Sequence, residues 1–146
     1  MMVSFDVVSL FTNVSVSLAT NIVRKRWPEL FKIWTGVEED LFFRTLEFCF
    51  SSSFLQFEGK TYSQVEGLAM GSLLSPVIAD LVLDELFDLV ERRFGTDILF
   101  MTKYVDDSLF FIHKRIHGPL LNYLNGFHNR IKFEYENECN NTVNFA

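Results

Sequence analysis

Positive charge, cysteine, proline and glycine are all scarce in this chain, and it has no long apolar run. Thirteen Lys and Arg face nineteen Asp and Glu, leaving a formal charge of −6 over 146 residues. That sign excludes a surface that grips phosphates by counterion release over its whole extent. The two cysteines, Cys49 and Cys139, are far apart and follow no metal-ligand spacing, so both read as ordinary thiols of a reducing compartment. Seven Gly and three Pro exclude collagen-like and linker-rich architectures. A membrane span needs roughly 20 apolar residues, and Asp80, Asp84 and Glu85 interrupt the greasiest segment, so no membrane role is expected. The first six residues carry no basic segment ahead of an apolar one, so a signal peptide is not expected and an intracellular setting is. What the chain has in quantity is core material: 49% of it is hydrophobic, including 17 Phe. One globular domain over residues 1–146 is expected.

The first apolar run, Val3, Phe5, Val7 and Val8, is too short for a helix and reads as a buried strand over residues 2–8 that nonetheless carries Asp6. Ser15 is placed to cap a helix running to Trp27, which Pro28 would end. A second helix is expected from about Val37 to Phe50, with Glu38, Glu39 and Asp40 favouring its first turn and Leu41, Phe42, Thr45, Phe48 and Cys49 as its apolar stripe. Residues 54–64 alternate about Gly59-Lys60 and predict a hairpin. Gly67 and Gly71 open a loop leading to Ser75 as a cap and Pro76 as the first residue of a long helix to about Phe94. Its buried face reads as Ile78, Leu81, Val82, Leu86, Leu89 and Val90. Two further apolar runs flank Asp106-Asp107-Ser108, which predicts a hairpin with acids at its tip. A helix over residues 119–129 and strands near 131–137 and 142–145 complete an α+β fold, an antiparallel β-sheet backed by helices.

Three acids stand out by position: Asp6 in a greasy strand, and Asp106 with Asp107 on a greasy hairpin. A charge beside buried strands is costly unless paired or metal-bound, and no basic residue lies near Asp6 in sequence. If the two strands are sheet neighbours, Asp6 and Asp106 converge on a small oxygen cluster suited to Mg²⁺. An Asp-rich turn taken alone is ordinary chain punctuation. His113, His117 and His128 show no metal spacing and read as structural.

These same residues carry a family resemblance. Phe5-Asp6-Val7-Val8-Ser9-Leu10-Phe11-Thr12-Asn13-Val14 resembles reverse-transcriptase motif A, the segment from Gln64 through Gly67-Leu68-Ala69-Met70-Gly71-Ser72 to Pro76 resembles motif B, and Tyr104-Val105-Asp106-Asp107 resembles motif C. All three stand in the family's order, and the wording of the first two is most similar to Penelope-like retroelement polymerases, relatives of telomerase.

The resemblance implies a polymerase palm that transfers nucleotides from dNTP to a primer 3′-hydroxyl on an RNA template, using two Mg²⁺ ions, with Mn²⁺ as a substitute. Asp6 and Asp106 would hold the ions, Asp107 would be a weaker ligand, and the Val7 carbonyl would complete one shell. Phe11 matches the steric-gate aromatic that excludes a 2′-hydroxyl, although a core Phe is the plainer reading of any one of the 17. Gln64, Gly67, Met70, Gly71, Ser72 and Tyr104 would meet the nucleotide or template. Leu73 stands where the family usually has proline. Lys132 lies where a later palm motif offers a proton donor to pyrophosphate, against the plainer reading of a solvated lysine.

Fingers and thumb are expected to lie outside this chain, which by itself is expected to polymerise little or not at all. The parent element would act in the nucleus. Two other readings stay open. One is a decayed or domesticated palm serving as a non-catalytic module; the other is an RNA-dependent RNA polymerase, which Phe11 argues against.

Overall fold

The computed structural model describes residues 1–31 and 36–145, whose chain forms two compact units: Met1–Leu10 with Leu83–Ala146, and Phe11–Val82. Among the described residues eleven α-helices and β-strands follow one another, with the short α1 additional to the expected elements: β1 (Met2–Val7), α1 (Leu10–Asn13), α2 (Val16–Leu30), α3 (Glu39–Ser51), β2 (Phe54–Phe57), β3 (Lys60–Ser63), α4 (Leu74–Phe94), β4 (Ile98–Tyr104), β5 (Asp107–Ile112), α5 (His117–Gly126) and β6 (Phe133–Asn137). Among the described residues no helix is long and apolar enough to cross a membrane.

The first unit is built on a four-stranded antiparallel sheet in the order β4-β5-β1-β6. Period-two alternation decides its faces. Val3, Phe5 and Val7 of β1 and Ser108, Phe110 and Ile112 of β5 are buried, which leaves Asp6 on the opposite, open face. Phe110 sits edge-on between Phe5 and Phe87, at ring separations of 5.4 and 5.6 Å, so the second half of α4 covers the apolar face. Burying one such ring contributes about 1.5–3 kcal/mol. Lys103 of β4 reaches Asp84 of α4 at 3.0 Å, and Phe94 meets Tyr123 of α5 edge-on at 5.5 Å. Leu120 and Leu124 complete this core from α5.

In the second unit, Ser15 caps α2 as expected, its Oγ accepting the Leu18 N–H at 3.2 Å. Pro28 does not end that helix, which runs on to Leu30. Proline removes one ladder donor, but the Phe31 N–H closes on the Trp27 carbonyl at 3.1 Å, and the two rings stack 4.0 Å apart, holding the last turn. The buried face of α3 is Phe43 and Leu46, whereas Leu41, Phe48 and Cys49 of the expected stripe are exposed. This helix is apolar on more than one side, so periodicity alone cannot choose the inward one. Phe42 and Phe43 instead close on Trp27, at 4.8 and 5.6 Å.

The β2–β3 hairpin turns on Glu58-Gly59, one residue earlier than expected, because both residues take the positive φ that a two-residue type I′ turn requires. The long helix α4 starts at Leu74, whose N–H donates to the Ser72 Oγ at 3.3 Å. Ser75 is buried within the first turn and donates to the Ala69 carbonyl at 2.6 Å, so it ties the preceding loop down instead of capping. Leu81 and Leu89 are only half-buried, while Ala79, Leu83 and Phe87 join the core.

Two further expectations change near the C-terminal end. The last helix spans His117–Gly126, starting and ending earlier than expected. Residues 142–145 form no strand: a single Cys139–Thr142 bridge closes a tight turn in which Asn140 and Asn141 both have positive φ.

Candidate active site

All three singled-out acids belong to the sheet unit. The β1–β5 register sets Asp6 opposite Asp107, so the expected hairpin tip of three residues is only two long, Val105-Asp106, and Asp107 already belongs to β5. Directly opposed residues of an antiparallel pair share a face. Asp6 and Asp107 therefore sit side by side on the open face, while Asp106 stands in the turn beside them. The Asp106 carbonyl accepts the Val7 N–H at 3.2 Å, which ties the hairpin tip to the end of β1.

Val105 takes φ +56° at the first turn position. A left-handed conformation costs an L-residue about 1–2 kcal/mol, more than usual for a β-branched one. The hairpin stores that strain directly beside its acids, the pattern seen where a chain favours function over local preference.

The β1–β6 register adds an acid that sequence reasoning missed. Glu134 lies opposite Asp6 on the other side of β1. The row Glu134, Asp6, Asp107 thus crosses three strands, and none of the three, nor Asp106, forms an ion pair among the described residues. The alternation Phe133-Glu134-Tyr135-Glu136 was the available signal, since it places both glutamates on one face of a strand. Asp6, Asp107, Glu134 and Glu136 line an open cleft of about 400 Å³ together with Ser4, Tyr135, Asn144 and Phe145. Partial burial, then the charges of Asp106, Asp107 and Glu134, raise the Asp6 carboxyl above its ordinary value, against a smaller opposing pull from the Val7 N–H.

The tight oxygen cluster expected from the sequence is not drawn together: among the described residues no three acid, His or Cys side chains stand close enough to hold one ion. Carboxylates without counter-charge repel one another, which accounts for the spread. Their chemistry nevertheless fits a hard divalent cation, since only oxygen donors face the cleft and no base lines it.

The remaining expected residues divide between the two units. Tyr104 ends β4 as the strand partner of Asp107 and is exposed. The Lys132 ammonium donates to the Asn125 and His128 carbonyls at 2.8 and 3.5 Å, so it serves the C-terminal end of α5, where a positive charge is favourable.

Phe11 lies in α1 of the second unit and is half-buried. Its carbonyl accepts the Leu68 N–H at 2.7 Å. Gly67 stands there with φ +79°, and a Cβ on it would come within 2.7 Å of the Thr12 oxygen, 2.8 Å of the Thr12 Cα and 3.0 Å of the Phe11 oxygen. Glycine is needed at this position so that the loop can lie directly on the backbone that follows Phe11. The Gln64 amide donates to the Glu66 and Leu68 carbonyls at 2.8 and 3.2 Å, which makes it a brace within the loop. Gly71 also has positive φ but faces open space, Met70 is exposed, and the Ser72 hydroxyl is engaged at the start of α4.

A strand acid opposite a hairpin acid, on an antiparallel sheet backed by helices, with a glycine-dependent loop clipped to the segment after the strand, is the layout of a templated polymerase palm. The family model for reverse transcriptase (RNA-dependent DNA polymerase) matches residues 1–138, and the chain belongs to that family. Among solved structures it is similar to apo telomerase from Candida tropicalis truncated from the C-terminal domain, with 13% identity and a TM-score of 0.68. The alignment covers 99% of this chain and 32% of that one, so the chain spans about a third of the telomerase chain whose fold it shares. A search of curated proteins gave no match.

Proposed function

We propose that this chain is the catalytic palm of an RNA-directed DNA polymerase from a Penelope-like retroelement, acting within a longer polypeptide that supplies fingers and thumb. The observation that carries this reading is the register of Asp6 with Asp107, with Asp106 in the adjoining turn and, among the described residues, no ion pair to balance them. Asp6, Asp106 and Asp107, with the Val7 carbonyl, would hold divalent cations, Mg²⁺ or Mn²⁺. Such ions lower the barrier to in-line displacement by activating the attacking hydroxyl and neutralising the leaving pyrophosphate.

The chain's own residues supply placement. The open sheet face would present the acids to a primer 3′-end. Within the second unit, the Leu68 N–H on the Phe11 carbonyl seats the backbone of the residue whose ring would bar a 2′-hydroxyl. Tyr104, Met70 and the Gly71 turn are the exposed groups available to nucleotide and template. Gln64 and Ser72 act through the loop they brace. Lys132 is engaged at α5, and this reading gives it no proton to deliver.

Thermal unfolding of the 146-residue chain with and without Mg²⁺ or Mn²⁺ tests the reading. Stabilisation by either cation is expected in the wild type and is expected to vanish in an Asp6→Asn/Asp106→Asn double variant. Equal response of both chains would favour a non-catalytic palm module. In a polymerising form with fingers and thumb, Phe11→Ala is expected to admit NTP alongside dNTP; a parent that already uses both equally would remove the steric-gate role of Phe11.

A further inference from the structure

Ser108 is the polar residue that breaks the inward row of β5. Alternation turns Ser108, Phe110 and Ile112 toward the core, and Ser108 is only 1% exposed, less than any other polar side chain buried among the described residues. A buried hydroxyl is costly unless it is bonded, and Ala or Val at this inward position would avoid that cost. Here the hydroxyl is bonded: its Oγ donates to the Phe5 carbonyl of β1 at 3.1 Å.

That bond sits where the ladder leaves a gap. Met1 and Ile112 exchange two bonds, at 2.8 and 2.9 Å, and the Val7 N–H meets the Asp106 carbonyl, so odd-numbered residues of β1 form the hydrogen-bonded pairs with β5. Asp6 and Asp107 are therefore a non-hydrogen-bonded pair, the kind whose Cα atoms come closest, at about 4.5 Å. No ladder bond joins these two like charges to each other. Phe5 precedes Asp6 and Ser108 follows Asp107, so the hydroxyl adds a tie to the strand pair immediately beside the acids, on the face that water does not reach.

We propose that Ser108 is a positioning residue of the nucleotidyl-transfer site: its hydroxyl, bound to the Phe5 carbonyl, holds Asp6 and Asp107 at their close spacing against their mutual repulsion. This rests on the palm reading given above and deepens it, since it gives the apposition of the acids a side-chain cause on the buried side of the sheet. Ser108 itself touches neither nucleotide nor primer in this assignment.

Three variants separate the hydroxyl from its bulk. Ser108→Ala removes it without adding volume, while Ser108→Val and Ser108→Thr share one branched shape and differ in the hydroxyl alone. In the 146-residue chain, the cross-strand nuclear Overhauser contact between the Asp6 and Asp107 Hα protons reports the spacing, and hydrogen exchange at the Val7 amide reports the tie. Ser108→Ala and Ser108→Val are expected to weaken the contact and to speed Val7 exchange about two- to tenfold, the loss of one hydrogen bond, with Val3 exchange little changed. Ser108→Thr is expected to behave as wild type does. In a polymerising form with fingers and thumb, Ser108→Val is expected to lower kcat about tenfold or more, with KM for dNTP within about twofold of wild type, and Ser108→Thr to restore kcat. An unchanged Asp6–Asp107 contact in Ser108→Ala and Ser108→Val overturns the proposal. So does an equal loss in Ser108→Thr or an equal speeding at Val3, either of which marks general packing. A contact that weakens while kcat holds also overturns it, because the acids then need no such support. A wild type that makes no DNA in the longer form sinks the palm reading and the catalytic use of the tie with it, whereas failure of the tie alone leaves wild-type synthesis intact, so the two failures read differently.

Discussion

Gly67 and Gly71 offer a controlled comparison, because both have positive φ, +79° and +86°, and only one of them is crowded. Replacing Gly71 with Ala puts a Cβ into open space, so the left-handed backbone is the main cost, about 1 kcal/mol or more. The reduced freedom of the unfolded chain offsets about 0.4–1 kcal/mol of it. Gly67→Ala carries the same two contributions plus contacts of 2.7, 2.8 and 3.0 Å with Thr12 and Phe11. All three contacts are with backbone atoms, which cannot rotate away, so an overpacking cost of about 1–3 kcal/mol is added. The expected losses are then about 0–1 kcal/mol at Gly71 and about 1–4 kcal/mol at Gly67. For a chain of this size each kcal/mol moves Tm by roughly 2–4 °C, so the overpacking cost should separate the two variants by about 2–12 °C. Urea denaturation measures the difference directly, and hydrogen exchange at the Leu68 amide locates it, since that donor should exchange faster in Gly67→Ala only. Equal destabilisation of the two variants, with Leu68 protection unchanged in both, would refute the idea that the loop is seated on the segment carrying Phe11.

Two other perturbations follow from the acid row. Burial and the neighbouring acids raise Asp6 above its ordinary value of 3.8 in the folded state, so protonation favours folding. Its contribution is fully present below the unfolded value and is lost as pH rises through the folded one. Asp6→Asn should therefore stabilise the cation-free chain at pH 7, by at most about 1–2 kcal/mol from two opposed pairs on a partly exposed face, and the gain should fade as pH drops into the carboxylate range. A variant that is less stable than wild type at pH 7, or equally shifted at every pH, contradicts this. Val105→Asn places a residue tolerant of positive φ at the strained turn and should add up to about 1 kcal/mol in chemical denaturation; a loss of stability there would mean that the Val105 side chain contributes packing that outweighs its strain.

Local rules written along the chain explain why much of the fold is legible in advance. Period-two alternation in β1 and β5 places Phe5 and Phe110 inward without any knowledge of partners, and Ser15 announces α2 because its hydroxyl acts on a donor only three residues on. Reading fails where the deciding partner is remote. Pro28 is tolerated because Trp27 and Phe31 stack across it, and the inward side of α3 is chosen by α2's aromatic residues from two faces that its own sequence leaves equivalent. Ser75 resembles a cap in sequence, yet its hydroxyl reaches back to Ala69.

The site divides along the same line. Asp6, Asp106 and Asp107 stand out because acids in apolar strands break a local rule. Glu134 breaks none, sitting in an alternating strand where an exposed glutamate is ordinary. Only the register of β6 against β1 turns it from a solubilising residue into a third charge beside two others. Register depends on the whole sheet, as does the assignment of Asp107 rather than Asp106 as the direct partner of Asp6. A two-residue turn at Val105-Asp106 fixes that assignment, and it does so at the cost of a β-branched residue in the left-handed region. A glycine at position 105 would relax the turn. With valine there the hairpin tip is held stiffly, with the Asp106 carbonyl bound to the end of β1. Stiffness at this point fixes the spacing of the acids before any ion or substrate arrives, so the strain at Val105 and the repulsion around Asp6 belong to one design: a sheet that spends folding stability to keep uncompensated charge in place.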